Sequence, residues 1–272
     1  MNKCKVIAIT NQKGGVGKTT TTVNLGVGLV NQGKRVLLVD ADPQGSLTIS
    51  LGIRNPDELE TSLSTIMKAV IDDIKLPNGI VKNAEGIDLM PSNIELAGME
   101  MKLFNTMSRE YVLRQYISSV KQNYDYILID CMPSLGMMTI NTLAAADRVI
   151  IPAQLSYLST KGLDLLLQSI VKVKKQLNPK LRVDGILLTM VDSRTRNARA
   201  TAEALRTGIG QQLRVFDTEI PFSVRAPESS YEGKSIFAFD RDGKVARAYE
   251  ALAKEVLSIE REEARLRADS VR

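Results

Sequence analysis

A glycine-rich segment near the start of the chain has the residue types that bind phosphate. The sequence KGGVGKTT occupies residues 13–20 and follows the apolar run Lys5–Thr10. Its glycines let backbone N–H groups approach phosphate oxygens without a Cβ in the way, and a helix that starts there adds its positive end. Lys18 can reach the β- and γ-phosphates, Thr19 can ligate Mg²⁺ through its hydroxyl, and Thr20 can meet the α-phosphate. The alternative, a turn without a ligand, needs one glycine and not three followed by Lys-Thr.

Three aspartates follow apolar runs where a metal site would need them. Asp40 and Asp42 end the second run in VLLVDADPQG, and Asp130 ends the run YDYILID at residues 124–130. Carboxylates at the carboxyl end of a strand beside a phosphate-binding loop lie where Mg²⁺ and the attacking water are held. We expect Asp130 to hold Mg²⁺ through water. The alternative for Asp40 or Asp42 is that it caps the following helix.

These residues predict one ATP site with Mg²⁺. From the residues alone, the predicted catalytic residue is Lys18. The predicted nucleotide-binding residues of the loop are Lys13, Gly14, Gly15, Val16, Gly17, Lys18, Thr19 and Thr20. The predicted metal-binding residues are Thr19, Asp40, Asp42 and Asp130.

The composition excludes several other chemistries. The 272 residues include no His and two Cys, and 36 Lys and Arg stand against 31 Asp and Glu. Without His, the Ser-His-Asp and Cys-His nucleophile systems and His-ligated zinc or iron sites are excluded. Cys4 and Cys131 form no CxxC motif, so a disulfide framework is not expected. The start lacks the apolar stretch of a signal peptide, and no run of about 18 apolar residues occurs, which predicts a cytoplasmic protein that does not span a membrane.

Short β-branched runs alternate with stretches of helical spacing, which indicates a parallel sheet covered on both faces. The seven runs are Lys5–Thr10, Arg35–Val39, Ile87–Met90, Tyr126–Ile129, Arg148–Ile151, Val183–Met190 and Arg214–Ile220. The first helix is predicted over Thr19–Gln32, ended by Gly33. We expect an α/β fold, a doubly wound, mostly parallel sheet of the P-loop NTPase type. A single domain is predicted over residues 1–272, with a C-terminal helix at about 244–260 and a polar tail to 272.

The loop at residues 13–19 departs from the general pattern G-x-x-x-x-G-K-[ST], because Gln12 replaces the first glycine and Lys13 adds a second lysine. This deviant Walker A loop resembles that of the ParA/MinD group of P-loop ATPases. The resemblance implies that Lys13 crosses to the nucleotide of a second subunit in an ATP-sandwich homodimer. It also implies that Asp42 positions or activates the hydrolytic water, with Asp40 behind it near the metal. With the resemblance, Lys13 and Asp42 join Lys18 as predicted catalytic residues, and Pro221 joins the predicted nucleotide-binding residues.

The resemblance covers residues 5 to about 256 and extends to three further segments. The stretches at residues 89–103, 147–154 and 223–240 look like those of ParA/Soj-type partition ATPases. Only one proline, Pro133, follows Asp130 closely, where the family often has a pair. A membrane-bound MinD-type ATPase would need a basic, amphipathic C-terminal helix, which the mixed charges of the tail do not provide. A biosynthetic ligase on the same fold remains an open alternative.

The positive charge is concentrated in the second half of the chain. Residues 172–247 contain 15 Lys and Arg against nine Asp and Glu. Clustered arginines contact DNA phosphates without reading sequence, and the candidates are Arg194, Arg196, Arg199 and Arg225. The alternative is a solvated charged face with local ion pairs such as Arg199 with Glu203.

We therefore expect a slow, Mg²⁺-dependent ATPase that dimerises on ATP and binds double-stranded DNA nonspecifically. The family resemblance implies that it partitions a plasmid, chromosome or mobile element with a centromere-binding, ParB-type partner that stimulates hydrolysis. It would be cytoplasmic and associated with the nucleoid. The alternative function is a positioning scaffold whose ATP switch recruits cargo without DNA.

Overall fold

The computed structural model describes residues 4–155, 161–192, 206 and 213–269. Seven strands form one sheet, in the spatial order β3-β4-β2-β5-β1-β6-β7. The strands are β1 Lys5–Ile9, β2 Val36–Ala41, β3 Val81–Lys82, β4 Asp88–Met90, β5 Tyr126–Cys131, β6 Arg148–Ala153 and β7 Arg182–Leu188. All neighbours run parallel except β3, which pairs antiparallel with β4 at the edge. The mostly parallel α/β sheet predicted from the sequence is confirmed.

Helices cover both faces of this sheet, as the near-continuous apolar strands require. The α-helices are α1 Lys18–Asn31, α2 Ser46–Ser50, α3 Leu63–Ile71, α4 Met99–Phe104, α5 Val112–Val120, α6 Met137–Ala145, α7 Lys161–Gln176, α8 Arg225–Tyr231, α9 Ile236–Phe239 and α10 Lys244–Asp269. Short 3-10 turns lie at Pro56–Glu58, Ile94–Gly98, Arg109–Tyr111 and Lys121–Asn123. Helices α3 to α7 bury one face of the sheet, and α1, α2, α9 and α10 bury the other. Every strand except the exposed β3 thus contributes side chains to two apolar cores.

Helix α1 carries the phosphate-binding loop at its start and is firmly anchored. It begins one residue before the predicted Thr19 and ends one residue before the predicted Gln32, with Gly33 at φ +75° as its terminator. Gly28 allows α10 to approach closely, since an added Cβ would lie 3.1 Å from the Cβ of Ala253. The hydroxyls of Thr21 and Tyr249 also meet at 3.2 Å between these helices. The body of the protein therefore fixes the position of the helix start.

Two sequence-based expectations about elements are wrong. Arg214–Ile220 is not a strand, because only isolated bridges connect Val215 to Ile186 and Pro221 to Val191. The backbone N–H groups of Asp217 and Thr218 donate instead to the carboxylate of Glu255 on α10. The C-terminal helix begins at Lys244 as expected but continues to Asp269, so most of the predicted tail is helical. Within the described residues, no helix is long and apolar enough to cross a membrane.

Candidate nucleotide-binding site

The glycine-rich loop forms an open cradle between β1 and α1. Gly15 and Gly17 adopt positive φ of +72° and +83°, a conformation that costs other residues energy. An added Cβ at Gly14 or Gly15 would meet no heavy atom within 4 Å. Gly17 is the N-cap of α1 and contributes no side-chain hydrogen bond to its first turn. The N–H groups at this helix start are therefore available to an anion.

Side-chain hydrogen bonds from Asn11 and from residues just after β6 and β7 hold the loop in place. The amide of Asn11 donates to the Pro152 carbonyl at 2.8 Å, and its oxygen accepts the Lys13 N–H. Thr189, just after β7, donates its hydroxyl to the Val16 carbonyl at 2.8 Å. Gln154, after β6, donates to the Gly15 carbonyl at 3.3 Å. The loop conformation is thus preorganised by the sheet.

Lys18 is buried within this cradle, with 8% of its surface exposed. Its ammonium group donates to the Lys13 carbonyl at 3.1 Å. Burial lowers the pKa of Lys18, and the neighbouring carboxylates of Asp130 and Asp42 partly oppose that effect. A cation held under a loop of free N–H groups would be better satisfied by a bound polyphosphate.

Asp130 meets two threonines of α1. It accepts the Thr19 hydroxyl at 2.7 Å and the Thr22 hydroxyl at 3.3 Å. Asp130 is fully buried, and burial raises its pKa, with the nearby charge of Asp40 adding to the rise. Its backbone lies opposite Asp40 in the β2–β5 register. Two carboxylates this close, with little solvent, favour a cation between them.

The predicted metal residue Asp40 is tied to α2 in this structure. Both the N–H and the hydroxyl of Thr48 donate to its carboxylate, at 2.9 and 2.7 Å, and the Asp42 N–H also donates to it. Burial is the main cause that raises the pKa of Asp40, to about 6. Asp42 follows β2, is half-buried, and accepts the Gln44 N–H at 2.9 Å. Asp40 therefore holds the loop that carries Asp42.

The donor set fits Mg²⁺ with a triphosphate. Thr19 and Asp130 supply a hydroxyl and a carboxylate 2.7 Å apart, which are hard oxygen ligands. In the described parts of the chain, no three His, Cys, Asp or Glu side chains converge as a metal-binding group. Phosphate oxygens and water would therefore complete the coordination shell, as is usual for Mg²⁺ at phosphate sites.

Two further predicted nucleotide contacts lie around the same edge. Thr20 is half-buried in the first turn of α1. Pro221 bridges to Val191, which follows Met190, and the Met190 side chain would lie 3.9 Å from a Cβ at Gly17. The structure thus brings the whole predicted set to the carboxyl edge of the sheet.

The predicted DNA contacts are only partly described. Arg194, Arg196 and Arg199 lie outside the described residues. Arg225 starts α8 and is exposed, with an ion pair to Glu228 at 3.2 Å and its guanidinium 5.6 Å from the centre of the Phe239 ring.

Three supporting residues were missed by the sequence analysis. Thr22 lies three residues after Thr19 and so on the same side of α1, which the helical period could have revealed. Thr48 and Thr189 could not be found this way, because their partners lie eight and 173 residues away in the sequence.

Comparisons with known proteins agree with this geometry. A family model described as an AAA domain matches residues 4–183. The sporulation initiation inhibitor protein Soj of Bacillus subtilis (strain 168) is 47% identical over 254 residues, which cover 93% of this chain and 98% of Soj. The chromosome partitioning protein ParA of Caulobacter vibrioides (strain NA1000 / CB15N) is 39% identical over 264 residues, covering 96% and 97% of the two chains.

A solved structure shares the fold and contains a nucleotide. Cobyrinic acid a,c-diamide synthase from Mycobacterium smegmatis, with a bound ATP analogue and magnesium, superposes with a TM-score of 0.78. It is 37% identical, and the match covers 93% of this chain and 94% of that one. That protein is named as a synthase, whereas the two relatives above are named for sporulation control and chromosome partitioning.

Proposed function

This chain belongs to the ParA/Soj family of partition ATPases, and we propose that it is an ATP-switched protein that dimerises and binds DNA nonspecifically. In this proposal it acts in the cytoplasm, on the nucleoid, and segregates a DNA element with a centromere-binding, ParB-type partner that stimulates hydrolysis. The observation that carries the proposal is the buried Lys18 inside an open glycine cradle, beside the Thr19–Asp130 pair.

The cradle residues bind and orient the triphosphate. N–H groups from Gly14 to Thr19 face the phosphate oxygens, and Lys18 neutralises charge on the β- and γ-phosphates. Mg²⁺, held by Thr19 and Asp130, supplies electrostatic stabilisation of the transferring phosphoryl group when bound. Asp130 keeps Thr19 oriented through their 2.7 Å hydrogen bond.

Asp42 is the proposed water-positioning residue. One of its carboxylate oxygens accepts the Gln44 N–H, which fixes the side chain, and the other can accept a hydrogen bond from the attacking water. Asp40 steadies this loop through the Asp42 N–H and Thr48. Hydrolysis should be slow, below about 1 s⁻¹, the low end of ordinary enzyme turnover, because a switch needs a long-lived ATP state.

Lys13 is proposed to act between subunits. Lys13 is half-exposed at the start of the loop, whereas Lys18 is buried. A lysine in this position can contact the phosphates of a nucleotide on a facing subunit, which would make dimerisation depend on ATP. Dimerisation would also place two copies of each DNA-contact segment, including Arg194, Arg196, Arg199 and Arg225, on one particle.

Substitution of Lys18 tests the nucleotide site. Lys18→Ala should abolish ATP binding measured by calorimetry with Mg²⁺, because the buried cation beside the loop is lost. Lys34→Ala, beyond the other end of α1, removes a lysine about 20 Å away and should bind ATP normally. Unchanged affinity in Lys18→Ala would refute the site.

Binding to random duplex DNA tests the function. Fluorescence anisotropy at low salt should show binding with ATP and much weaker binding with ADP. Arg225→Ala and Arg196→Ala should each lower the slope of log K against log salt by about one unit while ATP hydrolysis persists. Absence of any salt-sensitive binding with ATP would favour the scaffold function instead.

A further inference from the structure

A polar cavity opens at the edge of the sheet opposite the nucleotide site. Its volume is about 110 Å³, which is room for several water molecules or one phosphate group. Its walls are the start of β1, one face of α5, the end of α6 and the turn between α7 and β7. All these segments lie at the amino ends of the parallel strands, so the cavity is separate from the glycine cradle.

Three cations from different parts of the chain line this cavity. Arg114 and Lys121 lie seven residues apart, on the face of α5 and its continuation that also carries Ser118, and Lys180 comes from the α7–β7 turn. Among the described residues, none of these three cations forms an ion pair with a carboxylate, whereas Arg35 nearby is paired with Asp125 at 3.1 Å.

One carboxylate also lines the cavity and is already engaged. Asp147 accepts the Val6 N–H at 3.1 Å, and its backbone also bonds to Val6 and Arg182 at the ends of β1 and β7. It therefore has a structural role in joining strands. Three cations against one carboxylate leave the lining positive.

Attraction to the negative carboxyl ends of helices does not fully account for these cations. The amino edge of such a sheet collects helix carboxyl ends, which favour positive charge. At α6, however, the Asn178 amide already donates to the carbonyls of Leu143 and Ala146, at 3.0 and 2.6 Å. Near its end, α7 also carries the exposed Lys172, Lys174 and Lys175, and the chain then turns to Lys180 in the cavity wall.

We propose that this cavity holds a backbone phosphate of duplex DNA, with the lysines at the end of α7 contacting its neighbours. The inference rests on the proposed nonspecific DNA binding and assigns it a surface in addition to the predicted arginines. Duplex DNA fits because its backbone presents many phosphate charges close together, so one duplex can contact cations from several elements at once. Because ATP binds at the other edge, nucleotide and DNA do not compete for this surface.

The test compares two double variants that remove equal charge. The cavity variant combines Lys121→Ala with Lys180→Ala and so removes two cavity cations. The control combines Lys75→Ala with Lys82→Ala and removes two exposed lysines in or before β3, the edge strand at the far end of the sheet from β7. Binding of a random duplex is measured with ATP over a salt series. In the cavity variant, the fall of log K with log salt should be less steep than in the wild type, by about 1.8 units of slope. When the salt concentration rises fourfold, the wild type should lose about ten times more affinity than the cavity variant.

Each outcome decides between the possibilities. A reduced slope in the cavity variant, with a wild-type slope in the Lys75/Lys82 control and normal ATP hydrolysis in both, supports the proposal. Equal slopes in the two double variants, with intact wild-type binding, overturn it and leave the proposed function standing. Absence of wild-type binding overturns both. A melting temperature raised by inorganic phosphate in the wild type only, with equal DNA slopes, would assign the cavity to free phosphate and also overturn the proposal.

Discussion

At Asp130 and Asp40, the protein keeps two carboxylates side by side without solvent. Burial raises the pKa of both, and each is satisfied by threonine hydroxyls rather than by a paired lysine. The ammonium group of Lys18 is itself destabilised by burial. A ligand that brings phosphate and a cation together would balance these buried charges, which is the physical basis for assigning the site.

Thr22 should support Asp130 and thereby the affinity for Mg-ATP. Thr22→Val keeps the shape but removes the hydroxyl that lies 3.0 Å from the Lys18 carbonyl and 3.3 Å from Asp130. We expect unfolding free energy to fall by about 1 kcal/mol and calorimetric affinity for Mg-ATP to weaken. Thr106→Val is the control, because Thr106 makes the same helical bond to the Lys102 carbonyl without a carboxylate. Equal ATP affinity in the two variants would contradict this role.

Cys4 and Cys131 should be unreactive in the folded protein. Burial raises the pKa of each thiol to about 12, so at pH 8 only about one molecule in 10⁴ carries the thiolate. A colorimetric thiol reagent should label neither residue until denaturant is added. An added exposed thiol, Ser119→Cys, should react at once and serves as the reference. Native labelling of Cys4 or Cys131 at the reference rate would be inconsistent with the packing.

At the scale of elements, a buried ion pair joins β6 to β7. Arg148 and Asp184 lie 2.7 Å apart with 3% and 4% of their side chains exposed. Asp184→Ala should lower the unfolding free energy by about 3 kcal/mol, because the buried guanidinium of Arg148 loses the carboxylate that balances its charge. Glu250→Ala breaks the exposed pair with Lys254 and should cost less than about 1 kcal/mol. Urea unfolding of both variants measures the difference, and similar losses would refute the burial argument.

The sequence predicted the strands that are buried on both faces better than it predicted the edges of the sheet. Continuous apolar runs such as Tyr126–Ile129 need no distant information, because their composition alone fits a covered parallel sheet. The run Arg214–Ile220 mixes apolar with charged residues, and the N–H groups of Asp217 and Thr218 donate to Glu255 instead of to a neighbouring strand. The antiparallel strand Val81–Lys82 has two residues and leaves no periodic signal.

The residues of the site were likewise predictable where the signal is local in the sequence, and not where it depends on distant contacts. The glycine loop, Thr19 and Asp130 were predictable because their spacing is local or defined by strand ends, and the structure brings them together. The attachment of Asp40 to Thr48, and of the loop to Thr189 and Gln154, depends on how separate elements pack.

At the scale of the whole molecule, the two edges of the sheet differ in charge. Carboxylates and the glycine cradle lie at the carboxyl edge, and the cavity cations lie at the amino edge. In the proposed function, nucleotide and DNA would therefore bind at separate edges, and dimerisation would raise DNA affinity without any new contact.

The proposed dimer switch gives Asp42 and Lys13 different roles. Asp42→Ala should bind ATP and remain dimeric, because loss of a water-positioning carboxylate affects the transition state more than the ground state. Lys13→Ala should fail to dimerise or uncouple dimerisation from hydrolysis. Light scattering with ATP measures both masses. A monomeric Asp42→Ala protein, or a Lys13→Ala protein that dimerises and hydrolyses normally, would be contrary to the assigned roles.

The central claim is that ATP binding in the glycine cradle controls attachment to DNA. Retention on one immobilised random duplex, at low salt with ATP and Mg²⁺, should be measured for the wild type, Asp42→Ala and Lys18→Ala. We expect Asp42→Ala to remain bound longest, the wild type to dissociate as it hydrolyses ATP, and Lys18→Ala not to bind. Equal retention of all three proteins would contradict the account, because DNA binding would then be independent of the nucleotide.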